Sequence, residues 1–81
     1  MEKRIGNSLM VVDTTYPDSV KELNRILSDF SDIIHSRQGL SFKEKHLGII
    51  TVIFEGEINE INAMAGKIGK IHGVNIKTIF I

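Results

Sequence analysis

Along the chain, short runs of aliphatic and β-branched residues alternate with two stretches in which apolar side chains recur every three or four positions. Residues from about 4 to 12 hold Ile5, Leu9, Met10, Val11 and Val12, a run that stops at Asp13-Thr14-Thr15-Tyr16-Pro17 and predicts a first strand. Pro17 suits the opening turn of a helix, and Asp18, Ser19 and Glu22 set acceptors and negative charge where unpaired N–H groups point. Through Val20, Leu23, Ile26, Leu27 and Phe30 the spacing is i, i+3, i+4, i+7, with Lys21, Glu22, Asn24, Arg25 and Asp29 left for water. A helix with one buried face is predicted there.

From about Asp32 the segment Ile33-Ile34-His35-Ser36-Arg37 predicts a brief edge strand ended by Gly39, with Ser41-Phe42-Lys43-Glu44-Lys45 as a charged turn. Leu47 to Glu55 is the strongest strand in the chain, closed by Gly56. Helical spacing returns through Ile58, Ile61, Met64, Ala65, Ile68 and Ile71, with Glu57 and Glu60 early, Lys67 and Lys70 late, and Gly73 as a stop. Val74, Ile76, Thr78 and Phe80 then alternate with Asn75, Lys77, Ile79 and Ile81 in a fourth strand.

The order β, α, β, β, α, β predicts an α+β ferredoxin-like sandwich: a four-stranded antiparallel sheet, strands one and three central, with both helices on one face. Strand three is apolar on both parities, with Leu47, Ile49 and Ile53 on one side and Ile50, Val52 and Phe54 on the other. Helices cover one sheet face only, so the apolar open face predicts burial against another protomer and hence a homo-oligomer, dimer or tetramer, assembled through the sheet.

Composition narrows this picture. At 81 residues the chain supports one core and one domain, 1–81, with roughly 60–65% of its unfolded surface removable from water. The absence of cysteine excludes disulfides and thiolate zinc sites and agrees with a cytoplasmic location. Ten basic and ten acidic side chains leave no formal net charge, so the broad positive field that draws proteins onto nucleic acid is missing and no direct nucleic-acid contact is expected. No apolar run nears the roughly 20 residues of a bilayer span. Met1-Glu2-Lys3-Arg4 leads into a strand-like segment rather than a signal peptide, so no membrane partner is expected.

Candidate chemistry is sparse. Asp13, Thr14 and Thr15 stand between strand one and helix one, where a carboxylate, two hydroxyls and helix N–H groups can meet a small polar ligand; the competing reading is a turn with a helix cap. His35 and His46 are the candidate metal ligands, although their spacing makes no chelating motif and a surface or interface role is the simpler expectation; His72 reads as structural. Gly66-Lys67-Ile68-Gly69-Lys70-Ile71-His72-Gly73 lacks the spacing of a phosphate loop and lies in a helical pattern. Ala63, Ala65, Gly66 and Gly69 are expected to let helix two lie close to its neighbours. Glu55 and Glu57 have no nucleophile to work with and read as a solvated cap, and Arg37, Lys43 and Lys45 form a small basic patch serving solubility first and anion binding second. No catalytic constellation is visible, and an enzyme is not expected.

Ser31-Asp32-Ile33-Ile34, Ser36-Arg37-Gln38-Gly39-Leu40, Leu47-Gly48-Ile49-Ile50 and the run Ala63 to Val74 together resemble the small ACT-like iron-only hydrogenase system regulator family over nearly the whole chain. Those proteins are similar in turn to the C-terminal regulatory domain of the nickel-responsive repressor NikR. The resemblance implies a ligand-sensing regulatory module, acting through oligomerisation and a partner protein and needing no cofactor. ACT domains typically bind an amino acid or other small ligand between protomers. The NikR likeness implies the alternative of nickel-like metal sensing by interface histidines, but the cysteine such a site uses has no counterpart in Lys45-His46-Leu47-Gly48. A purely structural assembly module is the third reading. Strand one starts within a few residues of Met1, so NikR's DNA-binding segment is expected to be absent. Ser31 and His35 stand where the relatives tend to have glycine.

Overall fold

The computed structural model describes residues 2–81. Its elements are β1 (Lys3–Asp13), α1 (Pro17–Asp29), β2 (Ile34–Phe42), β3 (Leu47–Glu57), α2 (Ile58–Gly69) and β4 (Val74–Phe80), with 3-10 turns at Ser31–Ile33 and Lys43–Lys45. The strands form one antiparallel sheet in the order β2-β3-β1-β4, so the two most apolar strands are central, as the ferredoxin-like pattern requires. β1 and β3 pair over their whole length, from Lys3 opposite Glu57 to Asp13 opposite Leu47.

Residues directly opposite one another in antiparallel strands share a sheet face. The row Gly6, Ser8, Met10 and Val12 of β1 therefore shares its face with Gly48, Ile50, Val52 and Phe54 of β3 and with Val74, Ile76, Thr78 and Phe80 of β4. On that face Met10, Val12, Val52, Phe54 and Val74 are buried with Leu23, Ile26 and Leu27 of α1 and Ile61, Met64 and Ile68 of α2. Each fully buried side chain of this kind contributes about 1.5–3 kcal/mol relative to leaving it in water. The face also contains one buried polar side chain, Ser8, whose Oγ lies 2.8 Å from Thr78 Oγ1. Gly6 allows the Phe54 ring to come down onto β1: a Cβ there would stand 2.5 Å from the Ile79 carbonyl and 2.7 Å from that ring.

Among the described residues no helix lies on the opposite face. Ile5 and Leu9 of β1, Leu40 and Phe42 of β2, Ile53 of β3 and Ile79 of β4 are all exposed there, Leu40 at 62% and Ile79 at 67%. The apolar second parity read in strand three thus belongs to a wider apolar surface. At its centre Asn7 Nδ2 donates to Thr51 Oγ1 at 2.8 Å.

Several boundaries differ from expectation. β2 does not end at Gly39 but continues to Phe42, because every residue from Ser36 to Phe42 finds a β3 partner; the expected charged turn shrinks to Lys43–Lys45. Gly56 does not close β3, since it pairs with Arg4 and the strand reaches Glu57. α2 stops at Gly69, short of Ile71, and Gly73 is the left-handed residue (φ 79°) of the turn into β4. Ala63 and Gly66, expected to allow close packing, face solvent, and a Cβ on Gly66 would meet nothing within 4 Å. Glu57 and Glu60 form a capping box at the start of α2, with Glu57 N–H donating to Glu60 Oε1 at 3.1 Å. Among the described residues no helix is long and apolar enough to cross a membrane.

Candidate functional site

The end of β1 and the turn after it meet two other segments. Asp13 N–H donates to the Gly73 carbonyl at 2.8 Å, Thr14 N–H donates to the His46 carbonyl at 3.1 Å, and the Tyr16 ring lies edge-on to His72 with centroids 4.5 Å apart. Asp13 Oδ1 accepts from Thr15 N–H at 2.9 Å and from Thr15 Oγ1–H at 2.6 Å. These two bonds, the hydroxyl's first, hold the Asp13 carboxyl below its ordinary range, helped by the positive potential of His46 and His72. Asp13 and Thr15 thus make a closed turn of the kind Asp forms with its own backbone. They do not cap α1, whose first turn follows Tyr16 without a side-chain cap and begins at Pro17.

The candidate metal ligands are not brought together. His35 sits at the irregularity between Ile34 and Ser36, with Nε2 3.2 Å from Glu55 Oε1. His46 lies beyond the other end of β3, in the left-handed conformation (φ 52°), so about 26 Å of strand separates the two. Among the described residues no three His, Cys, Asp or Glu side chains gather in one place.

Beside the Asp13 turn, between α1 and the β2 edge, lies a groove of about 310 Å³ that the sequence did not point to. Val20 and Leu23 of α1 and Val12 and Ile50 of the sheet give it apolar walls. Gly39 and Gly48 form its floor, and Thr14, Asn24, Arg37 and Ser41 supply polar groups around it. In register Gly39 faces Ile50 and Ser41 faces Gly48, so Arg37, Gly39 and Ser41 all turn toward α1. That parity contains no large apolar side chain, and α1 therefore stands over an unfilled strip of sheet. Arg37 Nη2 donates to Asn24 Oδ1, which fixes the guanidinium at the groove, and among the described residues no carboxylate pairs with it. The signal was present as a glycine on alternate positions with Arg37 and Ser41, but it is readable only if β2 continues past Gly39.

The family described as "Iron-only hydrogenase system regulator, putative", TM1266-like, matches residues 4–78. Among solved structures, the uncharacterized protein TM1266 from Thermotoga maritima is 31% identical, with a TM-score of 0.95 over 99% of each chain. A "putative antibiotic biosynthesis monooxygenase" from Caulobacter crescentus CB15 is 9% identical, with a TM-score of 0.51 over 95% of this chain and 89% of that one, a likeness of fold alone. No curated protein matches the chain.

Proposed function

This chain belongs to the TM1266-like family, and on that premise we propose that it is a non-enzymatic regulatory module of the iron-only hydrogenase system, which pairs through its open sheet face with a second copy and responds to a small ligand. The observation that carries this reading is the exposed apolar surface of Ile5, Leu9, Leu40, Phe42, Ile53 and Ile79. Strand spacing and rise give this face a footprint of roughly 600 Å² per protomer, so a face-to-face pair covers roughly 1,200 Å², the lower bound of stable protein interfaces. Lys3, Lys77, Glu55 and Glu57 place both signs of charge around the surface, which suits a twofold pairing of identical faces. Ligand occupancy that shifts this pairing, or the exposure of a partner-binding surface, is the regulatory step.

Native mass spectrometry and sedimentation of untagged protein test the reading together. A dimer or tetramer is expected, and Ile53→Lys, at the middle of the face, is expected to give a folded monomer. A wild-type chain that stays monomeric at high micromolar concentration overturns the proposal.

One contact favours a second reading, metal sensing. His35 and Glu55 offer a nitrogen and an oxygen ligand at an exposed edge, and two copies would supply four. Under this reading His35→Ala abolishes nickel or zinc uptake measured by equilibrium dialysis, with His46→Ala as the comparison for the second candidate; unchanged uptake in the double variant removes it.

A further inference from the structure

The glycines on the sheet fall into two groups. A Cβ at Gly6 would collide with the Ile79 carbonyl and the Phe54 ring, so packing demands glycine there, and one at Gly56 would press on Ile33 at 3.1–3.3 Å, a tight contact that Ile33 would have to yield to. Gly39 and Gly48 are under no such demand. A Cβ at Gly39 would have no neighbour closer than 3.7 Å and one at Gly48 none closer than 3.5 Å, and neither has positive φ. What their missing side chains do is leave the floor of the α1–β2 groove open.

We infer that this groove binds a small monocarboxylate with an apolar body, its carboxylate on Arg37 and Asn24 and its body over Gly39 and Gly48. The inference rests on the ligand-sensing reading above and names the ligand class and its location. A groove of about 310 Å³ holds the volume of about ten waters, and so an organic molecule of about ten non-hydrogen atoms. Val12, Val20, Leu23 and Ile50 offer such a molecule apolar contact. Because Asn24 spends its oxygen on Arg37, its Nδ2 is left to donate beside the guanidinium, and the two together present N–H groups to one carboxylate.

Charge narrows the class further. Among the described residues Arg37 is the single cation in the lining, which suits one negative charge better than a phosphate dianion. Among the described residues the lining contains no Asp or Glu, so an α-ammonium group would enter without a counter-ion, and a zwitterionic amino acid is disfavoured. The site thus separates a simple carboxylic acid from the amino acid of the same skeleton.

The test is a titration of the whole chain, followed by backbone amide NMR shifts, with 3-phenylpropanoate, its amide and phenylalanine. The carboxylate is expected to saturate between about 0.1 and 1 mM, shifting Arg37, Gly39, Ser41 and Gly48. The amide and phenylalanine are expected to bind about tenfold or more weakly, and Arg37→Gln to lose about as much for the carboxylate. Gly48→Ala, which has room for its methyl, is expected to fold and to weaken binding. Equal shifts from acid and amide overturn the inference, as does the absence of any shift up to about 10 mM. Shifts centred on Asp13, Thr14 and Thr15 also overturn it, but leave ligand sensing intact. Sedimentation of the same samples reports separately on assembly, so loss of the groove and loss of the sheet-paired module are distinguishable.

Discussion

β4 turns Val74, Ile76 and Phe80 toward the helices, whereas β2, at the other edge of the same sheet, turns Arg37, Gly39 and Ser41 toward them. On the β4 side the surface closes: Val74 is buried, Ile76 packs against the core, and Phe80 meets Phe54 edge-on with ring centroids 6.1 Å apart. On the β2 side only Ile34, at the strand's start, packs against the core; from Arg37 onward the surface stays open, and Leu40 and Phe42 point to the opposite face. Both edges are paired beside the groove and beside the core, β2 without interruption from Ser36 to Phe42 and β4 from Val74 to Phe80, so backbone pairing does not decide which closes. The volume of the inward-facing side chains does. A sheet edge can therefore be fully formed as secondary structure and still leave its helix-facing side unfilled.

The largest expected effect sharpens this contrast. Phe54→Ala, on the closed side, is expected to cost about 3–5 kcal/mol in urea unfolding at fixed protein concentration, whereas Ser41→Ala, on the open side, stays within about 0.5 kcal/mol. Comparable losses would mean that the groove is filled in solution. Gly6→Ala comes next, at about 1–3 kcal/mol from the clash with Ile79 and Phe54, against a neutral or slightly stabilising Gly48→Ala. A Gly48→Ala variant as damaged as Gly6→Ala would show that the floor is already packed.

Thr78→Val removes the partner of the buried Ser8 hydroxyl and is expected to cost about 1–2 kcal/mol, while Thr51→Val on the open face costs less because water reaches Asn7. Equal costs would indicate that the open face is covered. The smallest effect is at the Asp13 turn. With its folded pKa lowered, Asp13 contributes stability present above the unfolded value of 3.8 and lost as pH falls through the folded value. Thr15→Val is expected to flatten that acid-side decline in Tm, modestly because the group is exposed, and an unchanged profile would show that the Thr15 bonds do not persist in solution.

The architecture was legible because its signals are volumes and periods. Leu23, Ile26 and Leu27 fall on one helical stripe, and Val52 and Phe54 on one strand parity, and both sets are buried. The candidate site was only half legible. Asp13, Thr14 and Thr15 read correctly as a turn, but Thr14 alone also lines the groove, and Tyr16 precedes the helix in place of the expected cap. Glycine usually punctuates, which makes Gly39 read as a strand stop; pairing with Ile50 in the ladder overrides that preference. A groove made by absent side chains leaves no trace in hydropathy, and Arg37 and Asn24, thirteen positions apart, meet only when α1 and β2 are placed.

Asn7 and Ser8 are consecutive, yet Asn7 bonds to β3 across one face and Ser8 to β4 across the other. Met10 opposite Ile76 and Val12 opposite Val74 are apolar pairs, which tolerate a slide of two residues better than a hydrogen bond does, since such a slide preserves the alternation of faces. The Ser8 hydroxyl is not so tolerant. Moved by two, it would oppose Ile76 or Phe80 and lose its partner, at about 1–3 kcal/mol, which reduces the misaligned population by about five- to 150-fold. A single oxygen thus proofreads the meeting of the chain's first strand with its last, seventy positions away, selecting one alignment from several that grease alone would accept.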